Sequence, residues 1–161
     1  VVVRPSASRA PGTVRGTLLV AALVPLLAGC GADREPEGPP GVRVSVGVQD
    51  LSARPTQYCL DGEWQRYTTR PPVVEVSPDA PISLTVPDAV AERGWSVQVF
   101  DEQLEETIGE VDVPAGTATF DEISTSDVAP PAFYLVVVED SGGECGELSG
   151  AWPVGFLRAG G

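Results

Sequence analysis

Three cysteines (Cys30, Cys59 and Cys145) and 23 Asp and Glu residues carry most of the chemistry open to this 161-residue chain. It contains no His and no Lys. There is therefore no Ser-His-Asp or Cys-His nucleophile to assemble, no Schiff-base amine and no Gly-x-x-x-x-Gly-Lys phosphate loop. No Cys-x-x-Cys spacing exists, and no His is there to complete a zinc site. What remains for catalysis is a carboxylate pair of the glycosidase type, one acid with a raised pKa and the other ionised. With 23 acids in the chain, no pair is singled out.

Two acidic clusters invite a second reading. Asp101, Glu102, Glu105 and Glu106 fall in an expected strand connection, and Glu139, Asp140 and Glu144 in the loop before Cys145. Calcium takes about six to eight oxygen ligands, which loop carboxylates and carbonyls can supply. Neither cluster has the Asp-x-Asp-x-Asp-Gly spacing of a calcium loop. Solvated loop charge is the favoured reading and a weak cation site the alternative. The expectation is a non-enzymatic protein with no cofactor and no assigned metal.

Cys30 stands apart by its surroundings. Arg4, Arg9 and Arg15 precede it with no acid among them, and residues 17–28 form an apolar run broken once by Pro25. The run is too short for a bilayer, which needs roughly 20 apolar residues, but suits the middle of an export signal. Leu27-Ala28-Gly29-Cys30 then resembles the lipobox of bacterial lipoprotein signal peptides. The resemblance implies that the Cys30 thiol takes a diacylglyceryl group, that residues 1–29 are cut away, and that the protein is anchored at the extracytoplasmic face of the cell membrane. Each buried methylene contributes about 0.8 kcal/mol, and one chain alone holds only reversibly, so two acyl chains matter. An ordinary secretory signal is the alternative.

Removal of that segment changes the charge. The chain from Cys30 onward keeps 7 Arg against 23 acids, a net charge of −16. Such a surface repels nucleic acid and anionic headgroups. Nucleic acid is thus excluded as a partner, and attachment to the membrane falls to the lipid. The chain also lacks Asn and Met. That bias suggests a GC-rich genome, with an actinobacterium as the expected source and a halophilic archaeon as the alternative.

With Cys30 assigned to lipid, Cys59 and Cys145 remain as an even pair in an oxidising compartment, and a disulfide is expected. Residues 30–41 are rich in Pro, Gly and Glu and read as a flexible tether. In an extended polyproline-like state it spans roughly 30 Å at most. Residues 42–158 are one domain by length, and residues 159–161 a disordered tail.

The elements that must position these residues read as strands. Residues 42–48 and 82–86 alternate apolar with small or polar side chains, the period of a half-buried strand. Asp61-Gly62 between 56–60 and 63–68 signals a two-residue hairpin. Further strands are expected at 73–76, 95–100, 105–111, 117–120 and 151–157. The continuous apolar run 133–138 suits a central strand covered on both faces. Residues 88–93 have room for a helical turn only. The whole suggests an all-β, immunoglobulin-like sandwich of about 7–9 short antiparallel strands. Trp95, Phe133 and Phe156 belong to its core. Tyr58, Trp64, Tyr67 and Trp152 form either a stacking platform for a ligand or part of the core.

Residues 55–59 (Pro-Thr-Gln-Tyr-Cys), Val86-Pro87 with Ala89-Val90, and Trp95, Val97 and Val99 also resemble a family of actinobacterial lipoproteins. That resemblance implies location and a single domain, and carries no activity. The expected partners are the membrane, through the anchor on Cys30, and a cell-envelope protein or polymer. A carboxylate-dependent glycan hydrolase and a small-molecule or cation carrier are the alternatives.

Overall fold

The strands form a two-sheet sandwich in the computed structural model, which describes residues 38–140 and 145–160. The expected signal segment 1–29, Cys30, the tether as far as residue 37, Glu144 and residue 161 lie outside the described residues. In chain order the elements are β1 (Val42–Val46), β2 (Gln49–Ala53), β3 (Gln57–Leu60), β4 (Glu63–Arg66), β5 (Val73–Val76), β6 (Pro81–Thr85), α1 (Asp88–Arg93), β7 (Trp95–Phe100), β8 (Thr107–Val113), β9 (Thr119–Ser124), β10 (Ala132–Asp140) and β11 (Leu148–Arg158). The smaller sheet runs β2-β1-β6-β9. The larger runs β4-β3-β11-β10-β7-β8, with β5 also paired to β11.

This order has the immunoglobulin plan. In that plan one sheet holds strands A, B, E and D and the other C, F and G, with C′ beyond C in the variable type. Here β1, β6 and β9 stand at A, B and E, while β7, β10 and β11 stand at C, F and G and β8 at C′. Position D holds no strand among the described residues, because only residues 114–118 join β8 to β9. The hairpins β1-β2 and β3-β4 are additions to the plan.

Eleven strands are found where about 7–9 were expected, and they are neither all short nor all antiparallel. The unread strand is β2, whose mostly exposed Gln-Asp-Leu-Ser-Ala carries no alternation. β11 is 11 residues long, and β5 runs parallel beside its second half, from Val73↔Gly155 to Val76↔Arg158. β3 pairs with its first half at Gly150 and Ala151. Pro153 sits between these two pairings, where its missing N–H deprives no neighbouring strand of a donor. Ala159, assigned to the tail, still donates its N–H to the Val76 carbonyl at 2.8 Å.

Local chemistry sets the strand ends. Asp61 and Gly62 have φ of 53° and 77°, both positive as a type I′ turn requires. Asp101 Oδ1 accepts from the N–H of Glu105 at 2.8 Å and of Glu106 at 3.3 Å. That turn holds the chain until β8 can begin at Thr107, later than the period suggests. Inside, Trp95 meets Phe120 edge-on at 6.5 Å across the sheets, and Phe133 stacks on Phe156 at 5.2 Å. Val136, Val138 and Ala151 form a second, smaller cluster on the outer face of the large sheet.

Candidate functional site

The vacancy at position D leaves an open groove of about 450 Å³ between the two sheets. β7 contributes Val99, β8 contributes Ile108 to Val111, β9 contributes Phe120, Glu122 and Ile123, and the loop after β9 contributes Asp127 to Ala129. Register explains the placement. Val111 pairs with Val97 and Gly109 with Val99, so all four point towards the sandwich interior. Val97 is fully buried there, yet Val111 is 42% exposed because nothing covers it from the other sheet. Ile108 is 44% exposed beside the strand irregularity. Gly109 leaves the floor to the Val99 side chain. The rim carries Glu122 and Asp127, with no cation among the lining residues, while the Glu110 carboxylate turns to the outer face, where it accepts from Ser96 at 3.2 Å and Gln98 at 3.0 Å.

One arginine and two hydroxyl residues organise that rim. Arg158 Nη1 donates to the carbonyls of Thr125 at 2.6 Å and Val128 at 2.9 Å, and Nη2 to that of Ala129 at 3.2 Å. Thr125, fully buried, donates its hydroxyl to the Ser77 carbonyl at 2.7 Å. Asp127 accepts from the Ser124 N–H at 2.6 Å, and hydrogen bonding there holds its carboxyl below the ordinary value. The groove is a built feature, flanked by β8 and β9, the terminal strands of their sheets.

A second groove, of about 520 Å³, crosses the outer face of the large sheet among Phe100, Leu104, Val136, Val138, Leu148 and Pro153. It is apolar, and it too lies open to solvent.

The far end of the core is shut. Tyr58 and Trp152 meet edge-on at 5.8 Å, and both are buried. Trp152 folds over Gly150, where a Cβ would come within 2.4 Å of its ring. Its indole N–H donates to the Pro40 carbonyl at 2.8 Å, so the expected tether is already fastened to the domain by residue 40. These two aromatics are core and offer no stacking platform. Trp64 is 42% exposed, but its indole N–H donates to the Cys145 carbonyl at 2.8 Å. Cys59 and Cys145 form the expected disulfide, Cα to Cα 6.0 Å.

Glu139 corrects the acidic-loop reading. It is a strand residue of β10, fully buried, in step with inward-facing Phe133, Leu135 and Val137. Arg93, at the end of α1, donates through Nε to Glu139 Oε1 at 2.6 Å and forms an ion pair to the same oxygen through Nη2. Nη2 also reaches the Tyr58 hydroxyl at 3.3 Å. Burial pushes the Glu139 carboxyl up from its ordinary value against the pull of Arg93, and Oε2 has no hydrogen-bond partner among the described residues. Burial pushes the Tyr58 hydroxyl up as well, with Glu139 adding to it. Nothing in the sequence pattern links Arg93 to Glu139.

The other candidate carboxylates remain apart. Asp101 closes its turn, and Glu102 accepts from the Gln103 side chain at 2.6 Å. Glu105 and Glu106 are exposed, and Asp140 ends β10 with its N–H donated to the Gly94 carbonyl at 3.0 Å. Among the described residues no three acids or cysteines are grouped as metal ligands. No helix among them is long and apolar enough to cross a membrane.

No curated protein and no solved structure matches the chain. Residues 35–141, which include every residue lining the groove at position D, match the family described as "Protein of unknown function (DUF2771)". With more than half of its length matched, the chain belongs to that family.

Proposed function

We propose that the protein is a non-catalytic binding module of the cell envelope, held at the extracytoplasmic face of the membrane by a diacylglyceryl group on Cys30. The groove at position D carries this reading. It is apolar within, acidic at the rim and fixed by hydrogen bonds from Arg158. Ligand sites are concave, mostly apolar and pre-formed, with a few placed polar groups. A hydrolase would place a carboxylate of raised pKa across a cleft from an ionised one. Among the described residues the carboxylate that burial raises is Glu139, which lines neither groove and is held by Arg93.

The test uses intact cells. A photo-crosslinking residue in place of Val111 should capture an envelope component, and the same residue in place of the buried Val97 should not. Cys30→Ala should move the protein from the membrane to the soluble fraction and abolish capture. Membrane retention of Cys30→Ala would overturn the anchor, and absence of any Val111-dependent adduct would overturn the binding role.

A further inference from the structure

We propose that position D is a receptor for one added β-strand, supplied by a basic, extended segment of a partner protein that pairs with the free edge of β9. This rests on the reading of the domain as a binding module and names the class of ligand. The immunoglobulin plan has a strand beside E, and β9 stands at E with no neighbour on that side among the described residues. A sheet edge presents unpaired N–H and C=O groups that template a further strand. Six residues, Thr119–Ser124, make up β9; the register shift around Asp121 and Glu122 interrupts its ladder with β6, and Ser124 already bonds Asp127 through its N–H and its carbonyl, so Thr119 to Ile123 are the receiving stretch. A segment of that length in strand geometry spans roughly 20 Å.

Side chains select the occupant. Alternate residues of a strand at D point into the groove, where the exposed Ile108 and Val111 await apolar partners above the buried Val99, Phe120 and Val128. Residues between them face outward, next to Asp121 and Glu122 of β9, both exposed. Opposite charges on adjacent strands attract and like charges repel. With Asp127 adding to the acidic rim, the sequence that fits alternates Val, Ile or Leu with Lys or Arg. A second copy of this chain, with 7 Arg against 23 acids from Cys30 onward, brings like charge to the contact and is disfavoured. An acidic envelope polymer is disfavoured for the same reason.

The experiment measures binding of synthetic octapeptides to the full-length protein extracted from membranes. One peptide alternates Val with Lys, and a second alternates Val with Glu. A third keeps the Val-Lys sequence but carries N-methyl groups on alternate backbone amides, which removes strand pairing and leaves the side chains intact. The Val-Lys peptide should bind and slow hydrogen exchange at those amides of Thr119 to Ile123 that face away from β6. The Val-Glu peptide should bind about tenfold more weakly or worse, and the N-methylated peptide should not bind. Asp121→Lys with Glu122→Lys should reverse the charge preference. Equal binding of the N-methylated peptide, or no slowed exchange in β9, overturns strand addition. If Val111 still captures a component in cells in that case, the binding role stands and only strand addition fails.

Discussion

At one end of the sandwich Tyr58, Trp152, Glu139 and Arg93 close the core. Between β8 and β9 an inward-facing valine is left 42% exposed. The closed end draws on residues distant in the chain. Arg93 reaches Glu139, Trp152 reaches Pro40, and Cys59 is bonded to Cys145. The open side takes all of its lining from one stretch, Val99 to Ala129, and only its rim is fastened from afar, by Arg158 and by the Ser77 carbonyl. Long-range closure suits a region whose task is to hold the fold. A locally built groove can change its lining without disturbing that closure.

The largest expected effect comes from the closed end. The disulfide joins residues 86 apart. In the chain-entropy account such a loop gives about 4 to 5 kcal/mol of stability, reduced by any structure left in the unfolded chain. Cys59→Ser with Cys145→Ser should therefore lower the unfolding free energy by several kcal/mol in denaturant titration. An unchanged denaturation midpoint would show that the β3-β4 hairpin is held by Trp64 and its neighbours without help from the disulfide.

Next in size is the ion pair. Removing one partner of a buried pair typically costs about 3 to 5 kcal/mol because the remaining charge is uncompensated. Arg93 is itself 45% exposed, so Arg93→Ala belongs at the low end, about 3 kcal/mol. Replacing both partners, Arg93→Met with Glu139→Leu, should recover most of that loss, since apolar replacements of buried pairs are often neutral. Failure to recover would locate the stabilisation in the Tyr58 contact instead.

The two regions also differ in how much of them the sequence reveals. Alternation in 42–48, 82–86 and 95–100 is the direct imprint of one buried face, and Asp61-Gly62 is the imprint of two positive φ values. Those signals are local, so they survive in a linear reading. The parallel pairing of β5 with β11 and the contact of Arg93 with Glu139 arise only from tertiary arrangement. Glu139 shares its parity with Phe133, Leu135 and Val137, but Asp140 and Glu144 beside it make the segment look like a charged loop. The groove left a faint trace in the short stretch 114–118, too short to hold a strand D. Its apolar lining looks like ordinary core, because exposure of an inward-facing residue depends on what the other sheet lacks.

A pH series separates the closed end from the charge of the whole surface. Burial holds Glu139 above its ordinary value of 4.5, with Arg93 opposing and Asp140 adding to the shift. The protonated form is therefore favoured by folding. Stability from this group is fully present below about 4.5 and is lost as pH rises through the raised value. Mutual repulsion among the acids acts in the same direction, so the wild-type slope alone does not isolate it. Against Glu139→Gln the difference should move to the disadvantage of the wild type as pH rises from about 4.5 through the raised value, and level off above it. A constant difference would mean that the Glu139 carboxyl titrates alike in the folded and the unfolded chain.

The smallest effect sharpens the comparison most. Val97 and Val111 are register partners on adjacent strands, facing the same way, one fully buried and the other 42% exposed. Val97→Ala removes buried methyl groups and leaves a cavity, at about 2 kcal/mol. Val111→Ala loses no comparable packing and should change stability by no more than about 0.5 kcal/mol. The paired measurement is a denaturant titration of both variants under one set of conditions. Similar costs would mean that the groove is filled in the free protein, leaving no vacancy for a partner. If instead Val111→Ala is silent in stability and weakens capture of an envelope component, the residue's apolar side chain serves binding and contributes little to folding.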